Sequence, residues 1–233
     1  MRARGPQGRG AWLVGLALVA GCAAGPGRPS ASDGEGSVLR YVALGDSYTI
    51  GTSVAEDERW PNQLVERIGR LELVANLGVN GYTSSDLIED ELPEIEGLSP
   101  ELVSVLIGVN DVVQGVPERE YAGNVAIILE ELLTRLPPER IVCVATPDYT
   151  VTPMGAAFGD PEQQRRGIMA NNAILRDACE SRGIPFVAET FEISQAASVD
   201  PSLVAEDGLH PSGAQYARWA EVIASVLEGL LRE

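Results

Sequence analysis

The chain from residue 38 to residue 233 predicts an α/β fold: a three-layer α/β/α sandwich built on a parallel sheet. Three features point there: five short apolar runs, stretches of helical period between them, and turn residues where the runs end. The runs are 38–44, 73–77, 102–107, 140–145 and 184–187. They are nearly continuous in apolar residues rather than alternating, as strands covered on both faces are. In such a sheet ligands bind beyond the carboxyl ends of the strands.

Helical stretches are expected near 61–71, 84–92, 119–136, 161–182 and 212–231. Pro61 suits the first turn of its helix, where an N–H would find no partner anyway. Within 119–136, Tyr121, Val125, Ile128, Leu129, Leu132 and Leu133 recur at the spacing of one buried face. In the last stretch Tyr216, Trp219, Ala220, Ile223, Val226, Leu227 and Leu230 form a stripe that reads as core packing, not as a cofactor box. Ser212 stands where it can cap that helix.

Residues 1–21 read as a signal peptide. Arg2, Arg4 and Arg9 precede an apolar stretch too short to span a bilayer permanently. The run Leu18-Val19-Ala20-Gly21-Cys22 resembles a bacterial lipobox, which implies cleavage before Cys22 and lipid on its sulfur. More than one acyl chain there would make anchoring stable. Residues 22–37 then form a Pro/Gly-rich tether, and 38–233 is one domain. The expected location is extracytoplasmic, held to the bacterial membrane by the lipid.

The formal charge is −17, and removing residues 1–21 takes three Arg and no acid, leaving −20. Such acidity opposes binding to nucleic acid, and no nucleic-acid partner is expected. One His and scattered Cys provide no metal-ligand spacing, so neither a metal nor an organic cofactor is expected. Cys143 lies in an apolar run, and Cys143 and Cys179 read as two separate buried thiols rather than a disulfide.

The chemistry-bearing residues lie at the two ends of the domain. His210, the only histidine, follows Asp207 by three residues. Gly45-Asp46-Ser47 follows the first apolar run. A serine hydroxyl is a weak nucleophile until an adjacent base, most often His, is held by a third group. An acyl-transfer site also needs donors aimed at the developing oxyanion. Two loops after later strands offer them: 76–84, containing Gly78 and Gly81, and Gly108-Val109-Asn110-Asp111. Asp46 and Asp111 read as carboxylates that steady these turns. The long loop 147–160, with Tyr149, Met154 and Phe158, reads equally well as a pocket wall or as a packed surface loop.

Four blocks in this order resemble the SGNH, or GDSL-type, hydrolase family. They are Gly45-Asp46-Ser47-Tyr48 (Tyr48 standing where Leu is usual), residues 76–84, residues 108–111, and Asp207 through His210. The resemblance implies a flavodoxin-like sandwich with a five-stranded parallel sheet. It also implies Ser47 as nucleophile, His210 as base and Asp207 as its orienting acid. The oxyanion donors it implies are the Ser47 and Gly81 N–H groups and the Asn110 amide, with Gly81 preferred to Gly78 on spacing alone. The expected activity is hydrolysis of small-molecule or glycan carboxylic esters through an acyl-enzyme. Glycan O-deacetylation or O-acyl transfer at the cell envelope is the alternative, and a silent binding lipoprotein the reading from another class.

Overall fold

The computed structural model describes residues 37–231. The signal peptide at 1–21, the Cys22 lipidation site and the tether up to residue 36 therefore lie outside the described residues.

In chain order the elements begin with β1 (Leu39–Gly45), α1 (Ser47–Ile50), α2 (Trp60–Ile68) and β2 (Leu71–Asn76). Next come α3 (Ser84–Asp86), α4 (Ile95–Leu98), β3 (Leu102–Leu106), α5 (Val109–Gln114) and α6 (Glu118–Leu133). The remainder is β4 (Ile141–Val144), α7 (Pro161–Glu180), β5 (Phe186–Val187), α8 (Glu189–Gln195) and α9 (Gly213–Leu230). All strand pairs are parallel, in the order β2-β1-β3-β4-β5. This is the flavodoxin-like order, with its switch point between β1 and β3. The crevice there is flanked by the loops that follow these two strands.

Alternation along the strands sends side chains to two cores. Tyr41 and Ala43 of β1 pack with Trp60 and Leu64 of α2 and with Tyr216, Trp219 and Ile223 of α9. Val42 and Leu44 face the other way, onto Leu87, Ile95, Ile128 and Leu129. The central strands β1, β3 and β4 are thus covered on both sides, which explains why their apolar runs show no polar alternation, while the edge strands β2 and β5 are partly open. Ser212 caps α9, accepting from the Gln215 N–H.

The structure corrects two expectations. The 84–92 stretch is not one α-helix. It passes from α3 into a π-helical turn (Leu87–Glu91), a 3₁₀ turn (Leu92–Glu94) and α4. Pro93 has no N–H to continue the ladder, and the wider turn precedes it. The last strand is shorter than expected, because Pro185 cannot donate and the Ile184 N–H closes back on the Cys179 carbonyl. Cys143 and Cys179 are free, buried thiols rather than a disulfide, as expected, and they lie within hydrogen-bonding reach of each other. A hydrogen bond with the Cys179 thiol, together with burial, holds the Cys143 thiol well above its ordinary pKa.

Candidate active site

β1 ends at Gly45, whose φ of +150° and tight surroundings exclude a side chain: an added Cβ would strike the Leu106 carbonyl and Thr49. Asp46 then caps α1, its Oδ1 accepting from the Tyr48 N–H at 2.9 Å. Ser47 becomes the first residue of a short helix at the carboxyl end of a central strand. The first N–H groups of a helix have no intrahelical acceptor, so the Ser47 N–H is left available beside its own hydroxyl.

The C-terminal loop brings the imidazole to that hydroxyl. His210 Nε2 lies 3.0 Å from Ser47 Oγ, and His210 Nδ1 lies 2.6 Å from Asp207 Oδ2. A carboxylate can only accept, so the proton sits on Nδ1 and Nε2 turns its lone pair to the serine. Asp207 Oδ1 accepts the N–H groups of Leu209 and His210, at 2.8 and 2.9 Å, which closes the turn around the carboxylate. Partial burial alone would raise the Asp207 pKa. Hydrogen bonds from Ser53, from the imidazole and from those two amides instead hold it well below the usual carboxylate range. The Tyr48 ring, buried against Trp219, walls the imidazole at a centroid distance of 5.2 Å.

Gly81 and Asn110 reach the same cavity as Ser47 and His210. Gly81 has φ +85°, a turn conformation that suits glycine. Among the described residues no protein group accepts its N–H, while the Gly78 N–H is already taken by Asn76 Oδ1 at 3.2 Å. Gly78 also lies outside this cavity. The Asn110 amide donates to the Tyr82 carbonyl at 2.9 Å, and its only other partner among the described residues, Asp46 Oδ2, is at 3.5 Å. One N–H of the amide is therefore nearly free for a bound oxygen.

The cavity holds about 230 Å³, and its apolar wall is Val109, Val113, Tyr149, Phe158 and Leu209. Loop 147–160 thus supplies wall residues through Tyr149 and Phe158, whose rings meet edge to face at 5.6 Å. It is docked on the histidine loop by the Met154 N–H, which donates to the Gly208 carbonyl at 2.9 Å.

Beneath Ser47 lies a set of buried carboxylates. Asp46 is pushed up to about 7 by burial and by the nearby Asp111, against the Tyr48 amide that lowers it. Asp111 accepts from Ser84 N and Oγ, so both aspartates do steady the turns. Glu91 was not expected here. Its Oε2 accepts the Gly45 N–H at 2.9 Å, and burial raises it to about 9. Its signal was present in the sequence: Leu87, Glu91 and Ile95 are spaced as one helical face, and all three are buried.

A raised carboxylate binds a proton in the folded chain that the unfolded chain releases. Stability should therefore fall as pH rises, from the ordinary glutamate value of 4.5 toward about 9 for Glu91. The slope from one such group is at most about 1.4 kcal/mol per pH unit. Glu91→Gln keeps an acceptor for Gly45 and should flatten the slope. Urea unfolding across that pH range reads the difference, and equal slopes in both proteins would refute the assignment.

A model of the GDSL-like lipase/acylhydrolase family matches residues 43–218. No curated protein matches the chain in sequence. Among solved structures, TesA is 18% identical, with a TM-score of 0.65 over 82% of this chain and 99% of that one. Axe2, an acetylxylan esterase from Geobacillus stearothermophilus, is 19% identical, with a TM-score of 0.64 over 82% and 95%. A putative lipolytic protein of the G-D-S-L family from Desulfitobacterium hafniense is 18% identical, with a TM-score of 0.64 over 81% and 99%. At these identities the likeness is one of fold.

Proposed function

The chain belongs to the GDSL-like lipase/acylhydrolase family, and we propose that it is a serine esterase hydrolysing carboxylic esters through an acyl-enzyme. The observation carrying this reading is the unbroken line from the Ser47 hydroxyl through His210 to Asp207, at 3.0 and 2.6 Å. His210 Nε2 takes the hydroxyl proton as Ser47 Oγ attacks the ester carbonyl, and Asp207 stabilises the imidazolium that forms. The Ser47 and Gly81 N–H groups and the Asn110 amide receive the tetrahedral oxyanion. The same imidazolium protonates the departing alcohol. Water, deprotonated in turn by His210, then releases the acid and restores Ser47.

The apolar wall of the cavity supports an apolar acyl group over a bare acetyl. Each methylene buried there is worth about 0.8 kcal/mol, roughly fourfold in kcat/KM. A panel of p-nitrophenyl esters of graded length, run beside acetylated sugars, tests this. The expected result is kcat/KM climbing steeply from acetate until the cavity is full. Preference for acetylated sugars, with no gain from longer acyl groups, would favour glycan deacetylation instead.

A further inference from the structure

We propose that Ser53 is a positioning residue of this site, tying the Asp207 carboxylate to the segment that carries Ser47. The inference rests on the esterase reading for its kinetic consequence, but its geometry stands apart. Ser53 Oγ donates to Asp207 Oδ2 at 2.6 Å, across 154 positions of sequence. That oxygen is the one that accepts from His210 Nδ1. Among the described residues the other oxygen, Oδ1, is held only by amides of its own loop. Those local bonds shape the turn without fixing where it sits relative to the nucleophile.

Ser53 is tied closely to Ser47. The N–H groups of Gly51 and Thr52 both close on the Ser47 carbonyl, each at 3.1 Å, so the chain leaves α1 in a tight turn that delivers Ser53. Its φ is +67°, a left-handed conformation that few residues other than glycine adopt. Glycine would hold this backbone without strain; serine adds a Cβ that makes the conformation costly and a hydroxyl, which is spent on Asp207. Beside the Met154–Gly208 bond that docks the histidine loop on loop 147–160, this side chain ties that loop directly to the serine turn, where Nε2 stands 3.0 Å from Oγ.

Ser53→Ala and Ser53→Gly both remove the hydroxyl, and the glycine variant also relieves the backbone, so it tests the role even if the alanine variant is unstable. Both should lose about tenfold or more in kcat on the best ester of the panel, with KM within about twofold. His210 is the sole histidine, so in protein purified without a histidine tag its Nδ1–H proton resonance needs no assignment. That resonance should broaden through faster exchange with water in both variants, while the melting temperature of Ser53→Gly stays at or above that of the wild type. A Ser53→Gly protein with wild-type kcat and an unbroadened Nδ1–H signal would overturn the proposal. If the wild type turns over no ester, the esterase reading fails, and the Nδ1–H comparison still decides the role of Ser53.

Discussion

Ser47→Ala should lower ester turnover by a factor on the order of 10⁴ to 10⁶ while leaving the fold and KM nearly unchanged. The hydroxyl is the group placed for the imidazole to activate, since Nε2 lies 3.0 Å from Ser47 Oγ. Residual turnover would come from the oxyanion donors and from binding alone, as when a member of a serine triad is removed. The residue is buried at 7% exposure and its side chain makes no hydrogen bond besides that to His210 among the described residues, so alanine leaves a small apolar contact and no orphaned charge. His210→Ala should fall to a similar level, and the double variant no further, because the two groups act as one unit.

Asn110→Ala should cost about 10²–10³ in kcat, or about 2.7–4 kcal/mol of transition-state stabilisation. KM should change little, because in the proposed mechanism the nearly free N–H of the amide meets charge that develops only after attack. The bond from Asn110 to the Tyr82 carbonyl also links α5 to loop 76–84, which carries Gly81. If Gly81 is the second donor, as proposed, part of the loss should come from its displacement. Asn110→Asp separates the two effects: it keeps the size of the side chain but has no amide to give, and should be at least as damaging as alanine. Steady-state kinetics on the best ester of the panel reads both variants. An Asn110→Ala enzyme within about threefold of wild type would remove the amide from the oxyanion site.

What could be read from the sequence follows from how each feature is encoded. The central strands were legible because both of their faces are covered, which leaves a continuous apolar signature; the edge strands β2 and β5, partly open, were placed less closely. Helices of sixteen to twenty residues, such as α6 and α7, were legible by period. Those of four to seven residues, such as α1, α5 and α8, are too short to show one. The π-turn at Leu87–Glu91 departs from the 3.6 period altogether. Asp207 and His210 could be paired because their link is local, three residues apart. Ser47 could be joined to them only through the order of motifs. Ser53 could not be found at all, since its partner is 154 positions away and a lone serine in a turn has no distinguishing pattern.

The most direct test of the account is covalent. A fluorophosphonate traps a serine only where a base has made it nucleophilic and oxyanion donors receive the phosphoryl oxygen. Peptide mass spectrometry of the treated protein should find a single adduct, on Ser47, that is absent from Ser47→Ala and formed far more slowly in His210→Ala. A well-folded wild type that takes no label, or that is labelled at a different serine, would contradict it.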